Sequence, residues 1–331
     1  MNLPRRRFLH LALGATALPA VSRIARAQTF PSRPITMIVP FPAGGGTDLT
    51  ARIVSEPMSR TLGQPIVIEN MAGAGGTTGS ARARRANPDG YTVEMGQMGT
   101  HATAVALYPN LAYRPDIDFA PIGLVSLNPV MIVARKDFPP RDLKEFVPYV
   151  QANAEKLNMA HAGVGSIGFS CGLLLNSILG VKPTMVPFNG AAAAINALIG
   201  GQVDYMCDGG ANVSVPHVQS GAIKAYAFEA GRRSAILPDV PTAKEVGLPE
   251  FQVLAWGALF APRATPKPIL DKLTNALDKA LGDQNLRKRF SDLILEIPDK
   301  ASRGQQPLAA LVKSEIARWK PLIKAANVKL D

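Results

Sequence analysis

The sequence predicts an α/β fold, with two lobes built on mostly parallel sheets around a cleft. Three observations carry this. Short β-branched runs alternate with helical segments along most of the chain, and glycine, proline and asparagine punctuate the joins. Two strand, glycine-turn, helix units stand in tandem near the start. The regions Val125 to Pro129 and Tyr226 to Gly231 each follow a strand and give way to a change of pattern, as expected where a chain crosses between lobes. The first lobe is then discontinuous, residues 28–127 plus 228–331, around a continuous second lobe, 128–227.

Residues 1–27 stand apart as an export signal. Arg5, Arg6 and Arg7 precede an apolar run from Phe8 to Val21, interrupted by His10 and Pro19, and Ala25-Arg26-Ala27 supplies a small-x-small cleavage site. Arg5-Arg6-x-Phe8-Leu9 fits the twin-arginine pattern, with His10 in place of the more usual lysine. A short amphipathic helix would leave the arginine block and the Ala-x-Ala unexplained.

Beyond it, Ile35 to Val39 reads as a strand, followed by the turn Phe41-Pro-Ala-Gly-Gly-Gly46 and a helix from Leu49 to Leu62 that Thr47 or Asp48 would cap. The unit repeats as strand Ile66 to Ile68, turn Met71-Ala-Gly-Ala-Gly-Gly76 and a helix over Thr78 to Arg85. Further strands are expected at Thr92 to Met95, Ile122 to Ser126, Val130 to Ala134, Leu157 to His161, Met185 to Pro187, Val203 to Cys207 and Ile223 to Phe228. Helices fill the gaps at Leu143 to Asn153, Ser170 to Leu179, Ala191 to Leu198 and Val213 to Ser220. The last third reads as helical, with amphipathic stretches at Pro268 to Leu281, Gln284 to Leu293 and Pro307 to Ala325.

Composition removes several function classes. A chain of 331 residues that is 47% hydrophobic is neither disordered nor, with two cysteines, a disulfide-stapled scaffold. No segment after the signal offers the roughly 20 unbroken apolar residues of a membrane span. The formal charge of +11 falls to +6 once the signal's five arginines are removed. The basic runs Arg82-Ala-Arg84-Arg85 and Arg287-Lys-Arg289 lack interleaved aromatics, so they read as solvated helix faces and no nucleic-acid partner is expected. His101, His161 and His217 are scattered and the cysteines have no ligand spacing, so no metal and no cofactor are expected. Cys171 and Cys207 sit in apolar stretches and read as buried thiols in preference to a bridge.

The chemistry lies in the turns. Glycines before a helix let backbone approach a ligand, and the free N–H groups of the first helical turn face outward at the positive end of the dipole. Two such turns one strand apart could hold one carboxylate between them. Neither carries the Gly-Lys-Ser/Thr of a Walker loop, and Thr78 stands where a dinucleotide fingerprint needs its last glycine. In the second lobe, Ser166 within Gly163-Val-Gly-Ser-Ile-Gly168 could cap a helix or meet a ligand; Val164 occupies the position where a hydrolase elbow needs glycine. The order Ser166, Asp204 or Asp208, then His217 mimics a hydrolase triad without that elbow. Asn189 could cap the helix at Ala191 or bind a ligand. Asp208 would repel a carboxylate, so it would hold a loop or bind a hydroxyl, an amino group or water. His101 could face the cleft or belong to the core, and Trp256 reads as a core residue.

Taken together, Pro40-Phe-Pro-Ala-Gly-Gly-Gly-Thr-Asp48, Asn70-Met-Ala-Gly-Ala-Gly-Gly-Thr-Thr-Gly79, Asp89-Gly-Tyr91, Thr100-His-Ala102, Asp118-Phe-Ala-Pro-Ile122, Val186-Pro-Phe-Asn-Gly190, Gly200-Gly-Gln-Val-Asp204 and Leu237-Pro-Asp-Val-Pro-Thr242 resemble the substrate-binding receptors of tripartite tricarboxylate transporters, the Bug receptors. The resemblance runs through almost the whole chain after the signal. It implies an α/β, type II periplasmic-binding-protein-like fold of two domains around a ligand cleft. It also implies a monomeric, non-enzymatic periplasmic receptor that hands a small carboxylate to membrane permease subunits. A sensory receptor with a different partner would share the same sequence features. Carried onto this chain, the carboxylate anchor falls on Phe41, Ala43, Gly46, Thr47 and Asp48 with Ala74, Gly75, Gly76 and Thr77, while His101, Gly165, Ser166, Phe169, Asn189 and Asp208 complete the expected ligand site. The stretch Gly165-Ser-Ile-Gly-Phe-Ser170 is more apolar than is usual in the family, which would place Ile167 and Phe169 either against an aromatic or longer aliphatic diacid or in the core.

Overall fold

The computed structural model describes residues 30–210, 213–229, 233–253 and 255–325. The export signal expected at residues 1–27 lies outside them. Two five-stranded sheets organise the chain. The first takes strands β1 (Ile35–Val39), β2 (Ile66–Asn70), β3 (Thr92–Gln97), β4 (Phe119–Asn128) and β10 (Ala255–Pro262); the second takes β5 (Val130–Arg135), β6 (Asn158–His161), β7 (Thr184–Pro187), β8 (Tyr205–Asp208) and β9 (Ile223–Glu229). Their orders, β2-β1-β3-β10-β4 and β7-β6-β8-β5-β9, are the same pattern twice. β1 is parallel to β2 and β3, and β6 to β7 and β8, whereas β10 and β5 each run antiparallel to both neighbours. Four strands of each sheet therefore point one way and one is inserted reversed. The two reversed strands are the ones the chain forms immediately after passing from one sheet to the other.

Between the strands lie α1 (Gly46–Leu62), α2 (Thr77–Arg84), α3 (Ala104–Leu107), α4 (Pro115–Asp118), α5 (Leu143–Asn153), α6 (Ile167–Leu179), α7 (Ala191–Ile199), α8 (Val215–Gln219), α9 (Lys267–Gly282), α10 (Gln284–Asp292) and α11 (Gln305–Ala325). One π-helical turn, Gly99–Thr103, joins β3 to α3. Among the described residues, no helix is long and apolar enough to cross a membrane.

Three sequence expectations change. The last third is not wholly helical: β10 is an eight-residue strand buried along its entire length, and a run apolar on both faces lacks the alternation that marks a half-exposed strand. α1 begins at Gly46 with Gly45 as its cap, not at Leu49 with Thr47 or Asp48. α6 starts three residues earlier than expected, at Ile167, because Ser166 caps it by accepting the Phe169 N–H at 3.1 Å.

The packing explains why these elements hold. α1 lays Ile53, Val54, Met58 and Leu62 on the first sheet beside Leu273, Leu277 and Leu281 of α9, and ends at Gly63, whose φ of 71° few other residues adopt. In the second sheet, Val133, Ala160 and Met206 pack on Ala194, Ile195 and Leu198 of α7. The shared topology brings the ends of β1 and β6, with the turns that follow them, to the interface between the lobes.

Candidate functional site

A cavity of about 110 Å³ lies there. Three helix N-termini open into it: α1 through Gly46 and Thr47, α6 through Ser166, Ile167 and Gly168, and α7 through Gly190, Ala191 and Ala192. The first-turn N–H groups of a helix have no acceptor within it, so each terminus presents donors and a positive dipole end. Phe41, Pro42 and Ala43 wall one side, and Met206, Cys207, Asp208, Gly209 and Gly210 another. No lysine or arginine is among the lining residues; the acidic one is Asp208. An anion here would meet main-chain N–H groups and neutral polar side chains, with no basic side chain in the lining to pair with it.

The lobes are shut over this space. Tyr108 Oη donates to the Val164 carbonyl at 2.9 Å, and Ser170 Oγ donates to Thr103 Oγ1 at 3.2 Å, each across the divide. A Cβ added to Gly75 would lie 1.8 Å from the Val164 oxygen, and one on Gly190 would lie 3.3 Å from Pro42. Glycine at position 75 is thus a condition of this degree of closure.

Of the residues expected from sequence, Phe41, Ala43, Gly46, Thr47, Ser166, Asn189 and Asp208 line the cavity. The others lie outside its lining. Asp48 is 1% exposed and turned away from the cavity. Its carboxylate accepts from the Gly44 N–H and Arg52 Nε, both at 2.9 Å, and from Asn70 Nδ2 at 2.9 Å, so it fixes the shape of the first glycine turn. Burial alone would raise its pKa, but these donors outweigh burial and hold it below the ordinary value. Ala74, Gly75 and Gly76 line an adjoining opening with Tyr108 and Val164, which shares Phe41, Pro42, Ala162, Asn189 and Gly190 with the cavity. Thr77 donates its hydroxyl to the Ala74 carbonyl at 2.9 Å. Gly165 belongs to the contact between lobes, where its carbonyl would meet a Cβ on Gly99 at 2.0 Å.

His101 and Phe169 are core residues. The His101 ring is 0% exposed, stacks on Phe260 at 3.8 Å between centroids and shares a 2.9 Å hydrogen bond with Thr100 Oγ1. Its Nε2 lies 3.8 Å from Glu94 Oε2, and both atoms lack a hydrogen-bond partner among the described residues. Burial lowers His101 to about 3 and raises Glu94 to about 8, each shift favouring the neutral form of a pair that sits in the core. Phe169 packs on the His161 ring at 4.8 Å, and Ile167 alone of the two apolar candidates reaches the cavity.

Gln97 and Asn128 line the cavity without having been singled out from sequence. They end β3 and β4, and the rule that ligands meet the carboxyl ends of strands was the signal that could have found them. Gln97 Oε1 accepts the Gly99 N–H at 2.6 Å. Asp208 accepts from the Ser214 hydroxyl and from the Gly210 N–H at 3.3 Å, while burial pushes its pKa up to about 6. Cys171 and Cys207 are free, buried thiols, as expected. Among the described residues, no group of histidine, cysteine, aspartate and glutamate could hold a metal ion.

The sequence profile described as "Tripartite tricarboxylate transporter family receptor" matches residues 50–328. A protein from the TAR-I ttuE-ttuC' intergenic region of Agrobacterium vitis is 44% identical over 87% of this chain and 82% of its own length. BugT of Bordetella pertussis is 30% identical over 95% of each chain. Among solved structures, MatC of Rhodopseudomonas palustris with bound malate is 51% identical at a TM-score of 0.85, covering 89% of this chain and 100% of that one. A second R. palustris protein, solved with adipate, is 29% identical at a TM-score of 0.85 over 90% of this chain and 98% of its own.

Proposed function

We propose that this chain, which belongs to the tripartite tricarboxylate transporter receptor family, binds a small dicarboxylate between its lobes and delivers it to membrane permease subunits from the periplasm. One observation supports the reading above the others: three helix N-termini line one cavity between the lobes that has no basic side chain in its lining. A carboxylate receives hydrogen bonds there from the amides of α1, α6 and α7, which are already oriented when it arrives. Relatives solved with malate and adipate are in keeping with a dicarboxylate in this position.

The working cycle follows from the closed geometry. A ligand enters when the lobes are apart, meets Gly46 and Thr47 on the first lobe, and is enclosed when Ser166 to Gly168 and Gly190 to Ala192 approach from the second. The sheet of β1 to β4 with β10 moves as one body and the sheet of β5 to β9 as the other, and the crossings after β4 and after β9 are the hinge. The contacts that need closure, Tyr108 with Val164 and Ser170 with Thr103, stabilise the loaded form and present one surface to the permease. Phe41, Ala43, Gly46, Thr47, Ser166, Asn189 and Asp208 are the ligand contacts; no bond is broken in the cycle.

The test is a thermal-shift screen of aliphatic and aromatic dicarboxylates against protein unfolded, washed and refolded to remove carried ligand. At about 100 times Kd a ligand adds about 2.7 kcal/mol to stability, a rise of several degrees in Tm. A screen with no shift in demonstrably empty protein refutes the reading.

A further inference from the structure

We infer that Glu94 is a positioning residue for lobe closure: its carboxyl holds a proton on Oε2 for His101 Nε2, which completes a relay of hydrogen bonds beneath the closing face of the first lobe. The inference rests on the carboxylate reading above and adds a protonation requirement to it.

The relay is read from donors and acceptors. Ser80 Oγ donates to Glu94 Oε1 at 2.5 Å. At the other end, Thr100 Oγ1 accepts the Gln97 N–H and donates its single proton to the Gln97 carbonyl, both at 3.1 Å. That hydroxyl has only a lone pair left for His101 Nδ1, 2.9 Å away, so Nδ1 carries the ring proton and Nε2 is an acceptor. Nε2 and Glu94 Oε2 are buried 3.8 Å apart, and neither has another partner among the described residues. Two facing acceptors in a dry core would each cost about 1–3 kcal/mol. A proton on Oε2 meets both needs after an approach of about 0.8 Å to ordinary hydrogen-bond length.

An ionised Glu94 would find no cation. β1, β4 and β10 bring it no titratable side chain. Tyr113 donates its hydroxyl to the Thr100 carbonyl at 2.8 Å, and burial keeps the Cys171 thiol of α6 neutral. Arg82 and Arg84 of α2 and Asp116 of α4 are exposed, and Arg84 pairs with Asp118 at 3.1 Å. On α11, which packs on the π-helical turn, the lysines are exposed and Glu315 is engaged by Trp319 Nε1 at 3.0 Å and Arg318 at 3.4 Å.

The relay joins the parts of the first lobe that meet the second. α2, which carries Ser80, starts at the glycine turn that abuts Val164. Thr100 and His101 lie in the π-helical turn, whose Gly99 abuts the Gly165 carbonyl and whose Thr103 accepts from Ser170. Gln97, the last acceptor, lines the cavity, and its Oε1 takes the Gly99 N–H at 2.6 Å. Once Glu94 loses its proton, a carboxylate faces Nε2 and pushes the ring off Thr100, and the turn loses the shape that fits Gly165 and Ser170. Closure then draws on the protonated fraction alone.

Ring-nitrogen NMR reads the proton directly. At pH 7 His101 should show a protonated Nδ1 and an unprotonated Nε2, and a protonated Nε2 overturns the inference. Calorimetry reads the requirement: malate, succinate and adipate are titrated at pH 7 and pH 9, where their carboxyl groups are ionised and circular dichroism shows the protein folded. The tightest of them should bind about tenfold more weakly at pH 9, in proportion to the protein that keeps a proton whose pKa is about 8. Glu94→Gln offers Ser80 an acceptor and His101 a donor at every pH, so it should bind equally at both. Should that variant not fold, Ser80→Ala removes a donor that favours the ionised form and should move the loss to higher pH. Wild-type affinity unchanged between pH 7 and pH 9 overturns the inference, as does a loss that persists in Glu94→Gln or stays in place in Ser80→Ala. Failure of every dicarboxylate to bind overturns the carboxylate reading, and the ring spectrum still decides the relay.

Discussion

Gly75→Ala should uncouple binding from folding. The added Cβ would stand 1.8 Å from the Val164 oxygen and 2.8 Å from Tyr108 Oη, about 1.6 Å short of the 3.4 Å at which ordinary contact begins. Val164 belongs to the opposite lobe, so the clash exists only in the closed form. Backing the lobes off by that amount stretches the Tyr108–Val164 hydrogen bond from 2.9 Å beyond any useful length and lets water reach the chamber. Loss of the hydrogen bond alone is about 1 kcal/mol, and the remaining misfit raises the cost of closure, so dicarboxylate affinity should drop about tenfold or more. Alanine at a φ of +63° adds about 1 kcal/mol of backbone strain in open and closed forms alike. Gly63→Ala supplies the control, because Gly63 has a φ of +71° and open space around it. Calorimetry and melting of both variants then separate the effects: both should melt lower, and only Gly75→Ala should bind weakly. A folded Gly75→Ala protein with affinity within about twofold of wild type would refute the closed form as the binding form.

Other perturbations follow from the same geometry. Tyr108→Phe removes only the hydroxyl that crosses the divide, and ligand Kd should rise about fivefold while the melting of empty protein barely moves. Glu94 binds its proton up to about 8 in the core but ionises near 4.5 when unfolded, so over that interval the unfolded state holds fewer protons and stability falls as pH rises, by on the order of 1 kcal/mol per pH unit. Denaturation of Glu94→Gln between pH 5 and pH 8 should show that slope flattened, and an unchanged slope would place its origin elsewhere. Burial pushes the Cys171 and Cys207 thiols up, so a maleimide should label neither in native protein and both in denaturant, as read by intact mass.

The two glycine turns were legible in the sequence because the same strand, glycine-turn, helix unit repeats in tandem, and the first of them does line the cavity. Their division of labour was not. Gly75 and Ala74 read the same as Gly46 and Ala43 in one dimension, and only the arrival of Val164 from the other lobe turns the second loop into a closing surface. Asp48 misled for a related reason: an acid at a helix start suggests a ligand-facing cap, but Arg52 and Asn70 draw it inward. α6 and α7 were placed, yet the convergence of their N-termini with that of α1 depends on how two sheets face each other. β10 escaped because burial on both faces erases the period that betrays a strand.

The place of β10 also sets an order of assembly. All five strands of the second sheet lie within residues 130–229 and can pair as soon as that stretch has left the ribosome. The first sheet cannot. β4 is synthesised early but touches its sheet only through β10, so the side chains and backbone of residues 119–128 wait for residues 255–262 before they have a neighbour on that side. The half of the protein translated first is completed last, and any machinery that moves the chain only after folding must wait for its C-terminal third.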